Sequence, residues 1–442
     1  MSNSQASSEH EIQTFLRVQA KLDHLREGMP VKIKGPLNDA LEKLSCFPFV
    51  SLPLDSDSIE FSIAGQVAGT LQTPNVDLIM QKSTPSSFGK GEKTVTDEAY
   101  RRGREIPAAD IQFGGYSPFV GHIWETVSAA MFVGRSAELK LYKLAVYTEG
   151  GHFDWHMDST HSDEHHAAVL LALNTSWEGG DLVLRRNGVE TRADMKPTVA
   201  KDGSTVLQAV AFYTDVEHKV EPVSKGVRIV LQYDVHVVGW SKAKNGSKCE
   251  DQSSGSMLES VESLYDQRQY YEGVGTLIGD PASVKKIIVV IRNLLKSGVE
   301  EVAFAMQYLH RKSSILPQFL KGSDALLYQE LVKSFDVSLH PVVLQETTNY
   351  EGSYEDCCAY RFDHTVPKTG ADVESDAGEV SDEDSSDSME QDHKSTVFYV
   401  PNTSAIKQIS SKEYIEHTGN EAQPGEHKYF GGGMFVRKRK SA

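Results

Sequence analysis

The stretch GHFDWHMDSTHSD, Gly151 to Asp163, holds three overlapping copies of one pattern. His152-x-Asp154, His156-x-Asp158 and His161-x-Asp163 each set an imidazole two residues from a carboxylate. These are two of the three protein ligands in the 2-His-1-carboxylate arrangement, which leaves one face of an iron(II) ion open. Strand alternation sends Phe153, Trp155 and Met157 one way and His152, Asp154, His156 and Asp158 the other. Parity therefore leaves the first two pairs open. The third pair falls in the polar run STHSDEHH, read as a solvated loop.

A facial triad needs a distant histidine. FYTDVEHKVEPVSKGVRIVLQYDV, Phe212 to Val235, offers His218 between two strand-like segments. Arg228 follows ten residues later, inside the second of them. A buried guanidinium binds a carboxylate through two parallel hydrogen bonds, so it would suit a dicarboxylate cosubstrate. Each feature has an ordinary structural explanation when taken alone. A His-x-Asp pair arises by chance on surfaces, a turn histidine satisfies itself locally, and a strand arginine serves an ion pair.

Short strands surround this stretch: LKLYKLAVY ending at Tyr147, AAVLLALN, GDLVLRR, STVLQAVAFY and GVRIVLQYDVHV. That density of strands and turns predicts a sandwich or jelly roll packed on preceding helices. One such helix is SPFVGHIWETVSAAMFVG, Ser117 to Gly134, with Phe119, Ile123, Val127 and Ala130 on one face and Gly134 as its stop. Residues 9–46 read as helical, with Ile12, Phe15, Val18, Leu22 and Leu25 at helical spacing until Pro30 and Pro36 break the run. Residues 47–113 read as strands and loops.

After Trp240 the texture changes. Residues 241–260 are a polar linker. SVKKIIVVIRNLLKSG reads as a helix with a glycine stop, VAFAMQYLH as a strand, and KGSDALLYQELVKSF as a helix capped by Ser323 or Asp324. STVFYVP and YFGGGMFV would be late strands. The expected organisation is an N-terminal helical segment (1–46), a catalytic domain (47–240), the linker (241–260) and an accessory region (261–442).

The net charge of -17 argues against nucleic-acid binding through a basic surface. Ten of those surplus negative charges sit in one run, Ala371 to Asp392, which has no Lys or Arg and too few apolar residues to pack, so it is expected to be disordered. Cysteine is scarce, at positions 46, 249, 357 and 358, without zinc-ribbon spacing, and fits a reducing compartment. No apolar signal core opens the chain, and the apolar run IIVVI at 287–291 is too short for a membrane. A cytoplasmic or nuclear protein is expected. RKRK, Arg437 to Lys440, has the composition of a nuclear address as well as of a solvated basic tail.

At this point the residues resemble a known family. YTEGGHFDWHMD is similar to the metal-binding segment of the prolyl 4-hydroxylase type of 2-oxoglutarate- and iron(II)-dependent dioxygenase. Tyr147, Gly150, Phe153, His156 and Asp158 fill its pattern, with an aromatic residue three before the metal histidine. That register selects the middle pair, because Glu149 precedes His152 and Asp158 precedes His161 at the same offset. LALNTSWEGGDLVL resembles the next passage, with Asn174, Gly179 and Gly180 in place, and DVEHKVEPVSKGVRIVLQY resembles the segment with the distal histidine and the 2-oxoglutarate arginine. The likeness is close over residues 140–238.

The resemblance implies an α+β protein. Its core would be a double-stranded β-helix (jelly roll) flanked by helices, with a C-terminal α/β extension. It implies His156, Asp158 and His218 as Fe(2+) ligands, with Arg228 and Tyr147 holding 2-oxoglutarate. O2 is the other cosubstrate, and ascorbate is a candidate reductant. It implies hydroxylation of a protein or peptide in preference to a small molecule, with release of succinate and CO2; the charge and the short apolar runs add the expectation of no specific nucleic-acid binding and no membrane. The rival readings are a catalytically silent jelly-roll interaction protein, and a cupin-like metal enzyme that does not use 2-oxoglutarate.

Overall fold

The strand-dense middle of the chain folds as a jelly roll of two β-sheets. The computed structural model describes residues 49–55, 59–90, 93–114, 118–132, 135–186, 189–238, 281–341 and 429–439, with short stretches at 37, 40–41, 343–348, 358–363, 396–399 and 418–419. In chain order the jelly-roll strands are β1 (Phe49–Asp55), β2 (Thr84–Pro85), β3 (Arg101–Arg102), β4 (Arg104–Pro107), β5 (Ser136–Tyr147), β6 (His152–His156), β7 (His165–Ala172), β8 (Leu182–Arg186), β9 (Val189–Ala193), β10 (Thr205–Tyr213), β11 (Glu217–Val220) and β12 (Arg228–Val238). The larger sheet runs β1-β10-β7-β12-β5-β4-β2 and the smaller β9-β8-β11-β6-β3. All of these pairings are antiparallel.

Burial follows from position in the sheet. Central β7 is buried at every residue because both of its faces are covered. Fully burying a Val or Leu side chain, as at Val169 and Leu171, contributes about 1.5–3 kcal/mol. Helix α1 spans Val76–Lys82 and α2 spans Pro118–Met131. Proline at the first position of α2 costs no hydrogen bond and presets the helical φ. Ile123, Val127 and Met131, one turn apart, are buried, while Trp124 and Glu125 face outward. The expected stop at Gly134 lies outside the described residues, as do residues 1–36, the linker 241–260 and the acidic run 371–392.

The accessory region supplies helices α3 (Pro281–Lys296) and α4 (Gly322–Leu331) and strands β13 (Glu301–Ala305), β14 (Phe335–Pro341), β15 (Thr396–Tyr399) and β16 (Gly432–Lys438). The sheet order is β14-β16-β13-β15, with β13 and β15 parallel. Val284, Ile287, Ile291, Leu294 and Leu295 form the buried stripe of α3. The helix ends as its glycine predicted: Gly298 has φ +107°, and Val299 N–H donates to Leu294 O.

Two expectations here are corrected. Neither Ser323 nor Asp324 caps α4; its N-cap is Lys321, without a side-chain bond. The Asp324 carboxylate instead accepts from the backbone N–H groups of Gln307 and Tyr308, at 2.9 and 3.0 Å. A long-range loop outcompetes the local cap. The RKRK segment stays exposed at 437–439 but is not a free tail there. Arg437 lies in β16 and pairs with Glu301, and Arg439 donates to Val332 O. No helix among the described residues is long and apolar enough to cross a membrane.

Three buried imidazoles make the fold acid-sensitive. Burial holds His166 well below its ordinary value, and His165 and His310 at about 3 against an ordinary 6.5. The unfolded chain takes up these protons first. Their contribution to stability is therefore complete above pH 6.5 and is lost as pH falls from there toward 3. Asp215 and Asp234, both held below 3.8, add a loss of the same sign at the acid end. Asp324, pushed up by burial to about 7, works in the opposite direction. The histidines outnumber it. Thermal melts of metal-free protein should move steadily to lower temperature between pH 6.5 and 4; a flat or rising profile would contradict this account.

Candidate active site

Two cross-strand pairs place the residues that the sequence singled out. His156, at the end of β6, stands opposite His218 of β11. Tyr147, at the end of β5, stands opposite Arg228, the first residue of β12. Asp158 follows His156 where the strand gives way to a loop. All five line one pocket with about 380 Å³ of atom-free space, part of it open to solvent. Ala145, Leu170, Val220 and Val230 supply its apolar wall.

Strand parity misjudged β6. Phe153 pairs with Val220 and His156 with His218, so two residues of β6 oppose one of β11. This β-bulge turns His156 to the same side as Phe153. Their rings stack at 3.5 Å between centroids with an 18° tilt. Asp154 is thereby left exposed. His152 turns to carbonyl groups, with Nδ1 3.0 Å from Gly150 O and Nε2 3.0 Å from Ala99 O. His152 and Asp154 therefore do not line the pocket with their side chains. What Asp154 contributes is its carbonyl.

That carbonyl decides the chemistry of His156. His156 Nδ1–H donates to Asp154 O at 2.7 Å, and His218 Nδ1–H donates to Val216 O at 2.9 Å. These bonds fix both ring orientations and leave Nε2 as the ligating nitrogen of each. One ligand atom each from His156, Asp158 and His218 lie within 4.8 Å of one another, and all three residues are buried. Burial pushes the Asp158 carboxyl above its ordinary value and His156 well below its own. A divalent cation would stabilise the buried Asp158 carboxylate, and burial already favours the ligating form of His156, so the donor set fits the 2-His-1-carboxylate pattern of iron(II).

A second group, His161, His165 and Asp234, has similar spacing, but His165 presents an unsuitable nitrogen. His165 Nδ1 accepts the His161 backbone N–H at 3.1 Å, so its proton sits on Nε2, 3.2 Å from Ala167 O. Ligation through Nε2 would need an imidazolate. His161 Nδ1 is 2.6 Å from Asp234 Oδ2, a structural pair. Asp163 belongs to neither group; it accepts from Ser313 and pairs with Arg311. The solvated-loop expectation holds for exposed His161 and Glu164, but His165 and His166 are buried in β7.

Arg228 is 1% exposed. Its Nη2 reaches only the weak acceptor Met195 Sδ, at 3.3 Å, and its Nε has no hydrogen-bond partner. Among the described residues no carboxylate lies within ion-pair reach of it. Its guanidinium carbon stands 5.5 Å from the Tyr147 ring centre. Gly180, at φ +66°, makes this placement possible: a Cβ there would lie 3.3 Å from Arg228 Cδ and 2.8 Å from Val223 Cγ2. The Asp181 charge favours this cation only from beyond ion-pair reach, so its burial is costly, and a ligand carboxylate at the fork would lower that cost.

Sequence reasoning missed two further buried cations. Arg101 lines the pocket, 4.4 Å from the Phe153 centroid, and shares Glu105 with Lys143 at 3.1 and 3.2 Å. Burial and the Arg101 charge bring Lys143 down to about 8. Nothing in the run RRGR distinguishes a buried arginine from an exposed one.

Comparison with known proteins agrees with this geometry. The family model of the 2OG-Fe(II) oxygenase superfamily matches residues 142–236. No curated protein matches the chain. Solved structures similar to it include a Pseudomonas putida prolyl-4-hydroxylase, at 16% identity over 46% of this chain and 100% of that one, with TM-score 0.28. A Trichoplax adhaerens prolyl hydroxylase, solved with a hypoxia inducible factor peptide fragment, shares 14% identity over 47% of this chain and 94% of that one, with TM-score 0.27. A viral collagen prolyl hydroxylase of Paramecium Bursaria Chlorella virus-1, solved with 2OG, shares 13% identity over 42% and 99%, with TM-score 0.24. The match over residues 142–236 and the His-Asp-His cluster within it show that this chain carries the dioxygenase domain of a 2OG-Fe(II) oxygenase, which uses iron(II), 2-oxoglutarate and O2.

Proposed function

We propose that the chain hydroxylates a side chain of a protein or peptide, with His156, Asp158 and His218 holding iron(II) and with Arg228 and Tyr147 holding the far carboxylate of 2-oxoglutarate. One observation carries the assignment of the site. Three buried ligand atoms share a pocket with a buried guanidinium that no described carboxylate reaches at ion-pair distance. Iron bound there, with 2-oxoglutarate and O2, supplies oxidative decarboxylation to succinate and CO2 and delivers one oxygen atom to a substrate C–H bond.

The chain's own residues orient and shield. Asp154 and Val216 carbonyls aim the two imidazoles. Phe153 fixes the ring plane of His156 by stacking on it. Arg228 sets the orientation of 2-oxoglutarate along the pocket, and the apolar wall limits water. The peptidyl target rests on the sequence likeness to prolyl 4-hydroxylases over residues 140–238.

Purified protein given iron(II), ascorbate and 2-oxoglutarate should release succinate. Proline-containing peptides should accelerate that release and gain the mass of one oxygen atom. Succinate release without any peptide mass gain across such a panel would move the substrate elsewhere. No succinate from iron-loaded protein would favour the silent or cupin-like readings.

A further inference from the structure

The distal histidine is held by a turn that the accessory region clamps from outside. Residues 214–216 link the end of β10 to the start of β11, and Val216 N–H donates to Tyr213 O at 3.0 Å. Val216 O orients His218. Asp215, beside it, projects away into a buried knot. Its Oδ1 accepts from Lys321 Nζ at 2.8 Å, with both side chains 1% exposed. Its Oδ2 accepts from Leu309 N–H at 3.0 Å and from Arg186 Nη1 at 3.4 Å. Lys321 also donates to Leu309 O at 2.9 Å, and Arg186 to Gln307 O. Asp324 holds the same 307–308 segment. Tyr213, at the start of the turn, packs on Tyr308 at 4.9 Å.

We propose that Lys321 and Asp215 are positioning residues for the metal centre: the accessory region fixes the 213–218 turn through this ion pair, and so sets where His218 presents Nε2. This rests on His218 being a metal ligand, as proposed above. The knot is charged. Burial alone would raise Asp215, yet Lys321 and Arg186 more than offset it and hold the carboxyl below its ordinary value. A carboxylate with two cationic partners and a backbone donor has little freedom, and the carbonyl one residue on shares that restriction. The accessory region thereby belongs to the catalytic unit, although no accessory residue is among the metal-binding group.

The test compares full-length wild type, Lys321→Met, Lys321→Arg and Asp215→Asn. Iron(II) affinity is measured by anaerobic titration, the 2-oxoglutarate Michaelis constant at saturating iron, and folding by near-ultraviolet circular dichroism. Loss of a group that orients a metal ligand typically costs about 10–100-fold in metal affinity. Folded Lys321→Met and Asp215→Asn should show that loss while the Michaelis constant for 2-oxoglutarate stays put. Lys321→Arg, which keeps the charge, should recover most of it. A purely structural lysine would lower the melting temperature and leave iron affinity unchanged. Wild-type iron affinity in folded Lys321→Met overturns the proposal. If that variant does not fold, wild-type affinity in Asp215→Asn overturns it. If neither folds, the knot is a folding determinant and the positioning role is likewise rejected. Failure of wild-type protein to bind iron would reject the metal site itself, a distinguishable result.

Discussion

His218→Ala and His156→Ala should each abolish iron(II) binding and succinate release, while His161→Ala keeps both near wild type. The site offers only three ligand atoms in reach of one another, and all are buried. Losing one leaves two, with no described side chain placed to replace it. The loss should exceed the roughly 10–100-fold that removal of an outer partner costs. Asp158→Ala should behave the same way, because it removes the only carboxylate of the group. His161→Ala is the informative control, since it lies three residues past Asp158 and has the same His-x-Asp pattern. Its Nδ1 is committed to Asp234, and its neighbour His165 carries its proton on Nε2. Metal titration and succinate release, run on the four variants with circular dichroism to verify folding, decide the matter. Iron binding retained in His218→Ala but lost in His161→Ala would transfer the site to the second cluster.

How much of this was legible beforehand depends on the range of the interaction that sets each feature. The jelly-roll strands read directly from short apolar runs, because each strand needs only its own alternation and its own turns. The helix α3 and its glycine stop were equally local. The β6 bulge was not legible. It is created by the mismatch between β6 and β11, partners more than sixty residues apart, and it reverses the face that parity assigns to His156. The family register chose His156 for a reason that parity could not supply. Asp324 shows the same limit at a helix start: a local cap lost to two backbone donors in the 307–308 segment. His165 and His166 read as loop because HSDEHH is polar, yet β7 begins inside it and lies at the centre of the larger sheet. The Asp215–Lys321 pair joins residues 106 positions apart, with no periodicity to announce it.

Arg228→Ala should raise the apparent Michaelis constant for 2-oxoglutarate by roughly two to three powers of ten. The arginine lies in a pocket with an apolar wall, 1% exposed, and among the described residues its side-chain acceptor is the Met195 thioether. A ligand carboxylate meeting that fork gains charge-assisted bidentate bonds where water competes little. Breaking a buried pair of this kind costs on the order of 3–5 kcal/mol, and each 1.4 kcal/mol is about tenfold. Lysine keeps the charge but not the planar fork, so Arg228→Lys should fall between. Arg228→Met, which keeps most of the stem, should lose 2-oxoglutarate as badly as alanine. Without 2-oxoglutarate it should melt no lower than wild type, because it removes a desolvated cation that no described carboxylate pairs with. Iron affinity should survive in all three, since Arg228 is not in the ligand group. A 2-oxoglutarate titration followed by succinate release, beside metal content and thermal melts, reads every arm. If folded, iron-loaded Arg228→Ala keeps the wild-type constant, the far carboxylate is bound elsewhere and the orphaned guanidinium serves some other anion.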